Sequence, residues 1–573
     1  MKNKLRIGIL LDDDTVPAWL YKMFQQINNG YYAEIVLVVK NNSKHSIRKK
    51  NLFKKLIKNF NTIIFSSYVK YDEKLHKPKH NAFSLKNIND ILNTKTINVI
   101  PNKTKFRDIF KDEDIDKIKK ENIDIFIRSG FRILSGEILK VAKYGIWSYH
   151  HADNLVNRGG PTGFWEIFQK WKETGVTLQI LSEDLDNGQI LFKSFSRTIN
   201  NSLILNKNNY YWKSLSFIPN KMKELFDLGE IKFFNNIKEL NSNPTFYSNP
   251  LYQKKNIGNL KMIFFLAKKL HENISSKFSN IFYLEQWILL FKINDSNSMS
   301  KTFFRFKKLI PPVDRFWADP FVIERKNNFY IFIEEFLYTT NKGHISLITM
   351  DKLGNYSEPV KVLEKNYHMS YPFIIENDGN LYMIPETKQN KTIDLYKCIK
   401  FPNEWEYEMT LINNIEAVDT TIIFKNKKFW LFTNIAVNKG SSNLEELYIF
   451  FSDNLHSNNW APHPKNPVIS DIKKSRPAGK FFTHNNNLYR PSQNNTICYG
   501  YAMKINKVIT LNEFDYVEEE VNSIYPNWDA SITATHTLNH DGKLTVIDGI
   551  FKRKRSFFQT IKLISTKILT KLS

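Results

Sequence analysis

The chain has 573 residues, 42% hydrophobic and 24% charged, with a formal net charge of +25. That length is more than one hydrophobic core serves and predicts three to four units of about 100–200 residues each, while the composition excludes a disordered or fibrous chain. The positive charge is spread along the chain with no clustered basic stripe, so no specific nucleic-acid role is expected. Two cysteines, Cys398 and Cys498, exclude a disulfide framework and have no partners at metal-ligand spacing, so no metal is expected. The first apolar run, Ile7–Leu11, is stopped by Asp12-Asp13-Asp14, and no stretch approaches 18 apolar residues. A strand, and not a signal peptide or membrane span, is expected there, in a cytoplasmic protein.

The elements then follow in order. Lys4–Leu11 is a first strand, Pro17 opens a helix to about Asn28, and Ala33–Lys40 is a second strand. This strand–helix–strand unit predicts a parallel sheet. Residues 41–60 read as a basic excursion. A strand at Thr96–Ile100, a helix at Asp112–Glu121 and a strand at Ile123–Arg128 follow, then the loop Ser129–Leu134 and a helix at Ser135–Lys143. No GxGxxG follows the first strand and Gly8 within it stands alone, so a dinucleotide fingerprint is absent. Ligands of such sheets bind beyond the carboxyl ends of the strands, where the loops after Arg128 and Trp147 lie.

Residues 145–191 carry the densest chemistry. His150-His151 ends the apolar run of Ile146 and Trp147. Arg158-Gly159-Gly160-Pro161 forms a turn, Thr174-Gly175-Val176-Thr177 a strand, and Asp186-Asn187-Gly188 another turn. An imidazole and a carboxylate at strand ends are the parts needed to move a proton in acyl transfer. This stretch resembles the N10-formyltetrahydrofolate-dependent formyltransferases in five ordered features: His150, Arg158-Gly159, Trp165, Thr174–Thr177 and Asp186-x-Gly188. The resemblance implies a Rossmann-like α/β catalytic domain. Gly130, Phe131, Leu134, Arg158 and Gly159 would receive N10-formyltetrahydrofolate, the formyl donor. His150 would relay the amine proton and Asp186 would position it. Ser148 stands where the family has the Asn that polarises the formyl carbonyl. A hydroxyl donates one hydrogen bond from a shorter reach, and losing an oxyanion donor costs on the order of 10²–10³ in rate, with His151 a candidate substitute.

Past Leu191 come short strands and an amphipathic helix over about 206–227. Residues 235–258, Asn-rich with Pro244 and Pro250, read as a linker. Asn259–Phe278 is amphipathic and basic, which suits packing between domains and, more weakly, a membrane surface. From about 285 onward five hairpins recur, anchored at Asp319, Tyr371, Asp419, Arg476 and His536, and spaced 52, 48, 57 and 60 residues apart. Each is an apolar strand, a turn of Asn, Asp, Gly or Lys, and an aromatic-rich strand, and the period fits one four-stranded blade. A five-bladed β-propeller is expected, with a β-sandwich as the structural alternative. Its funnel would gather Asp319, Glu335, His368, Glu386, Asp419, Arg476, Gln493 and His536. Paired carboxylates suit glycosidic chemistry, and the Arg and His suit an anionic group on a sugar. The segments FWADPFV, HMSYPF, YMIPET, RPAG and YRPSQ resemble the N-terminal propeller of plant glucosamine inositolphosphorylceramide transferases and, more distantly, furanosidase-like glycoside hydrolases.

The expected domains are 1–235 (formyltransferase-like), 236–284 (linker with helix), 285–551 (propeller) and 552–573 (basic amphipathic tail). The function these imply is bacterial: formyl transfer to an amine on a small amino sugar, nucleotide-linked, in surface-glycan assembly, with a glycan in the propeller. A glycan-binding or glycosyl-processing protein and a methionyl-tRNA formyltransferase-like enzyme are the alternatives.

Overall fold

The computed structural model describes residues 3–43, 60–184, 187–243, 257–436 and 438–556. Asp186, most of the excursion at 41–60, the stretch holding Pro244 and Pro250, and the tail from 557 lie outside the described residues. The chain divides into two compact units, Met1–Ala267 with Val437–Ser441, and Lys268–Ala436 with Ser442–Ser573.

The first unit is built on a seven-stranded sheet. From one edge its strands run Gln189–Arg197, Glu173–Ile180, Ile146–His150, Ile125–Arg128, Leu5–Leu11, Ala33–Asn41 and Lys95–Val99. The five strands from Ile146–His150 onward are mutually parallel, and the first two are antiparallel. Alternate residues of the parallel strands feed two separate clusters. Ile7, Ile9, Ile125 and Ile127 join Trp19, Met23 and Phe24, while Leu10, Leu37 and Phe126 join Ile115, Ile118 and Ile138. Burial on both faces is why these strands read as near-continuous apolar runs. Leu5–Leu11 neighbours both the second strand and Ile125–Arg128, so chain order reverses beside it, and ligand crevices form at such reversals.

Three expectations need correction. Ser135–Lys143 is a short strand, Ile133–Ser135, then a 3-10 turn, Glu137–Lys140. Gly136, at φ 80°, separates the two. The single helix over 206–227 is two helices, Leu203–Ser214 and Phe217–Leu228. The expected limit at 235 falls inside a further helix, Glu230–Leu240, held by its buried Phe233 and Ile237. The helix Asn259–Phe282 exists, with Met262 buried near its start and Phe265 and Leu266 packed beside it. Leu270, Ile274 and Phe278 are exposed. Among the described residues no helix is long and apolar enough to cross a membrane.

The second unit contains five antiparallel sheets in chain order. Four are meanders, beginning at Arg315–Arg325, Ser370–Asn377, Ala417–Lys425 and Phe482–His484. The fifth joins Tyr283–Ile293 to Leu544–Lys554, so strands from both ends of the unit share one sheet. All five hairpins are present. Four of their turns place Lys326-Asn327, Asp378-Gly379, Asn426-Lys427 and Asn485-Asn486 at positive φ, the conformation that two-residue hairpin turns demand, and the fifth has Gly542 there. One apolar cluster links the first three sheets, and others link the third to the fourth, the fourth to the fifth and the fifth back to the first. The packing therefore returns to its start, and the unit resembles a five-bladed propeller. Lys552–Lys554, assigned above to the tail, continue the last strand. Neither Cys398 nor Cys498 forms a disulfide, and both are half-buried.

Candidate functional site

Two groups of polar side chains stand out, one in each unit. In the first, Ser148 and His150 are two apart on Ile146–His150, so both project to the same side of the sheet. Ser148 is buried, and Arg128 Nη1 donates to its Oγ at 3.4 Å. Because the hydroxyl accepts from Arg128, its own proton is directed elsewhere. Arg128 Nη2 donates to the carbonyls of Phe131 and Arg132 at 3.1 and 2.9 Å, which ties the loop Ser129–Leu134 to this strand. His150 Nε2 lies 2.8 Å from the Asn157 carbonyl. A carbonyl can only accept, so Nε2 carries the proton and Nδ1 is the basic nitrogen.

The Arg-Gly turn holds that carbonyl in place. Arg158 Nε donates to Asn154 O at 2.8 Å and Gly159 N to Asn157 Oδ1 at 3.1 Å. A Cβ on Gly175 would lie 2.6 Å from Asp153 N, so the Thr-Gly-Val-Thr strand needs glycine where this loop crosses it. Gly130 is equally constrained: a Cβ there would lie 2.4 Å from Asp12 N and 2.8 Å from Leu11 Cα. Phe131 donates its N–H to Asp12 Oδ1, and its ring and Leu134 turn into the core. The loop therefore offers a ligand its backbone and Ser129, whose Oγ is buried with no hydrogen-bond partner among the described residues. An orphaned hydroxyl at the sheet's reversal point fits a flat ring system rich in hydrogen-bonding edges, as a pterin is.

The expected substitute donor, His151, lies in an aromatic box, its Nε2 without a hydrogen-bond partner among the described residues. It stacks on Tyr211 at 3.8 Å and is edge-on to Trp19 at 5.2 Å. Burial in this aromatic box, with the His150 and Lys207 charges, holds its pKa down at about 3, so it stays neutral. Glu166 was not foreseen. It is buried beside Asn157 and His150, and burial pushes its carboxyl up to about 7 against the hydrogen bonds and the His150 charge that lower it. The sequence signal was available, since Glu166 is a lone carboxylate inside the apolar run Phe164–Phe168. A cavity of about 440 Å³ adjoins this loop, lined by Asp153, Asn157, Glu166, Lys170 and Gly175 among others.

In the second unit, three sheets begin with a bulge. The register slips at Ala318/Phe321, Ser370/Phe373 and Val418/Thr421, and Asp319, Tyr371 and Asp419 stand there at φ 52°, 46° and 51°. A bulge re-aims a side chain, and a left-handed non-glycine residue is tolerated only where its surroundings enforce it. All three are buried and converge. Tyr371 N donates to Asp319 Oδ2 at 3.3 Å, and Gly479 N to the Tyr371 hydroxyl at 2.8 Å. Arg476 grips Asp419 through Nε at 2.5 Å and Nη2 at 3.0 Å, and Gln493 Nε2 donates to the same carboxylate at 2.7 Å. His536 Nδ1 is 2.6 Å from Asp548 and its Nε2 is 3.4 Å from Asp319. Glu386 Oε2 lies 3.7 Å from Arg476 Nη2. His368 Nε2 is 3.5 Å from Glu334.

Glu335 does not belong to this group. It takes Arg315, Trp317, His344 and Ser346 as partners, which hold its carboxyl down at about 2 despite burial. Successive strand residues face opposite ways, so its neighbour Glu334 faces inward instead. Burial, then repulsion from Asp319, Glu386 and Asp419, pushes Glu334 well above the carboxylate range. The repeat register carried this: Glu334, Glu386 and Asn434 each pair with the residue just before a bulge, Ala318, Ser370 and Val418. Burial pushes Glu386 up to about 8 and Asp319 to about 6. Asp419 takes Nε and Nη2 of Arg476, which leaves less of its guanidinium for the anionic sugar expected there.

Residues 310–537 match the family described as glucosamine inositolphosphorylceramide transferase 1, N-terminal. The protein of that name from Oryza sativa subsp. japonica is 30% identical over 210 residues, which cover 36% of this chain and 28% of the relative. The methionyl-tRNA formyltransferase of Prochlorococcus marinus is 33% identical over 135 residues, 21% of this chain and 40% of the relative. The chain thus spans less than half the length of either. A family 117 glycoside hydrolase of Zobellia galactanivorans superposes with a TM-score of 0.32 at 10% identity, covering 47% of this chain and 90% of that one. A likeness at that level carries no argument. The first unit is thus formyltransferase-like in part, and the second transferase-related by sequence.

Proposed function

We propose that the first unit transfers a formyl group from N10-formyltetrahydrofolate to an amine on a small, nucleotide-linked amino sugar in glycan assembly. The observation that carries the reading is the fixed tautomer of His150, which leaves a basic Nδ1 two residues from the Ser148 hydroxyl on one strand face. The bound donor supplies the formyl carbon. The acceptor amine would form its bond to that carbon as the bond to the donor N10 breaks; His150 Nδ1 takes the proton shed by the amine and can return it to the departing N10, and Ser148 Oγ donates a hydrogen bond to the formyl oxygen. Arg128 aims that hydroxyl, and Asn157 locks the imidazole. Asp186 completes the set as the carboxylate that positions His150 or a relay water. Ser129 and the backbone of the Gly130 loop, with the Arg158-Gly159 turn, hold the donor.

The sugar class rests on the second unit, whose relatives are named for a glucosamine transferase. The test is formyl transfer by the purified full chain to a panel of nucleotide-linked amino sugars, with methionyl-tRNA as competing acceptor. Turnover with a sugar, lost in His150→Ala, supports the proposal. Turnover with methionyl-tRNA alone supports the tRNA reading, and no turnover with folate bound leaves the first unit a binding module. Ser148→Asn reports on the substituted donor, with faster transfer expected if the hydroxyl limits the rate.

A further inference from the structure

We propose that the centre of the five-sheet unit binds a small, positively charged sugar, an amino sugar with its amine free, through Asp319, Glu334, Glu386 and Asn434. The first support is a count of charge. Five buried carboxylates, Asp319, Glu334, Glu386, Asp419 and Asp548, meet two cationic side chains, Arg476 and His536. Asp419 is spoken for by Arg476 and Gln493. Asp548 accepts from the backbone N–H groups of Asp319, His536 and Thr537 as well as meeting His536 Nδ1. That leaves Asp319, Glu334 and Glu386 with one imidazolium, a guanidinium edge, the half-buried His368 imidazole 3.5 Å from Glu334 and the Lys388 charge acting on Glu386. Glu386 Oε2 accepts no hydrogen bond among the described residues.

The second support is independent of charge. Asn434 is fully buried, and neither its Nδ2 nor its Oδ1 has a hydrogen-bond partner among the described residues. Its register, opposite Val418 beside the Asp419 bulge, is that of Glu334 and Glu386, so its carboxamide faces the same centre. A group that only stitched sheets together would have both atoms satisfied. A carboxamide that presents a donor and an acceptor is matched by a hydroxyl, which can be both. Aromatic rings adjoin the charged group: Trp287 stacks on His536 at 4.2 Å, and Tyr499, edge-on to the same imidazole, lies 4.9 Å from the Arg476 guanidinium. Carboxylates, an amide and aromatic faces together suit a polyol that carries an ammonium.

Other occupants fit less well. An anionic sugar would face the carboxylate excess with Arg476 already paired. A divalent ion at Asp319, His536 and Asp548 has ligand atoms within 4.8 Å of one another. The lone pairs of Asp548, though, are directed at three N–H groups and His536. Crowding also gives the binding a signature. Burial and mutual repulsion keep Glu386 and Glu334 protonated near neutral pH, so an arriving ammonium that ionises them releases protons.

The test is titration calorimetry of the full chain with D-glucosamine, D-glucose, N-acetyl-D-glucosamine, D-glucuronate and calcium chloride, in two buffers of different ionisation enthalpy. D-glucosamine is expected to bind at least about tenfold more tightly than the neutral and acidic sugars and to release protons. Glu386→Gln is expected to raise the melting temperature while weakening glucosamine at least about tenfold, opposite signs that a purely structural carboxyl does not produce. Asn434→Leu weakens binding with the fold kept. Equal binding of glucose or glucuronate, binding of calcium but not glucosamine, no binding of any, or unchanged affinity in Glu386→Gln overturns the proposal. Formyl transfer in the first unit is not a premise of it, and its failure leaves these readouts intact.

Discussion

The two polar groups are built on opposite plans. In the first unit the decisive side chains lie close in sequence, Arg128 to Glu166, and local hydrogen bonds set each one: a carbonyl fixes the His150 tautomer and an arginine aims Ser148. In the second unit the decisive side chains run from Asp319 to Asp548, one or two from each sheet, and their state is set by burial and then by crowding of like charge. The first arrangement fixes each group through local hydrogen bonds, so loss of one side chain is expected to leave the fold intact. The second couples ionisation to the packing of the whole unit, so its chemistry and its stability move together.

The largest expected effect separates the two plans directly. His150→Ala should cost about 10²–10⁴ in formyl transfer, the range for a positioned general base, with the melting temperature nearly unchanged. A large loss of stability would show that His150 is a structural brace after all. Arg476→Ala should do the reverse in the second unit. Stranding the buried Asp419 carboxylate without its cation should cost about 3–5 kcal/mol, read by chemical denaturation. An unchanged midpoint would mean that the guanidinium contributes nothing net.

Gly130→Ala should come next, at about 1–3 kcal/mol, because its Cβ would meet the backbone of Leu11 and Asp12, which cannot withdraw as a side chain can. Its folate affinity should fall too. A fully stable Gly130→Ala protein would place the loop elsewhere. The smallest effect is the pH response. In the second unit the folded-state pKa values of Glu386, about 8, and Asp319, about 6, are raised above their unfolded values, and His536 is raised as well. A raised pKa gives stability that is complete below the unfolded value and lost as pH rises through the folded one. These central groups should therefore all lower stability as pH climbs from about 5 to about 8. In the first unit the shifts oppose. His151, held at about 3, loses its contribution as pH falls below its unfolded value, while Glu166, raised to about 7, gains over the same span. Denaturation followed separately in the two units between pH 5 and 8 should show a slope in the second and a flatter curve in the first. Equal slopes would remove the contrast.

Much of this was legible in the residues themselves. The strand Ile146–His150, the Arg-Gly turn and the glycine at 175 declare themselves because period-two burial and steric limits on φ act over a few residues. The five hairpins do so for the same reason, through turn residues that accept positive φ. The alternation that turns Glu334 inward and Glu335 outward was also present, in the register shared with Glu386. What the chain alone left undecided were meetings across long separations. Tyr283–Ile293 pairs with Leu544–Lys554, Asp419 consumes the Arg476 guanidinium, and Asn434 is left buried with its amide unmatched. Glu166 likewise acquires its raised pKa only when the fold buries it, against the lowering pull of Asn157 and His150. Local sterics fix elements within a turn or a strand, whereas burial and ion pairing depend on which distant segments the closed packing brings together, and that only the tertiary structure decides.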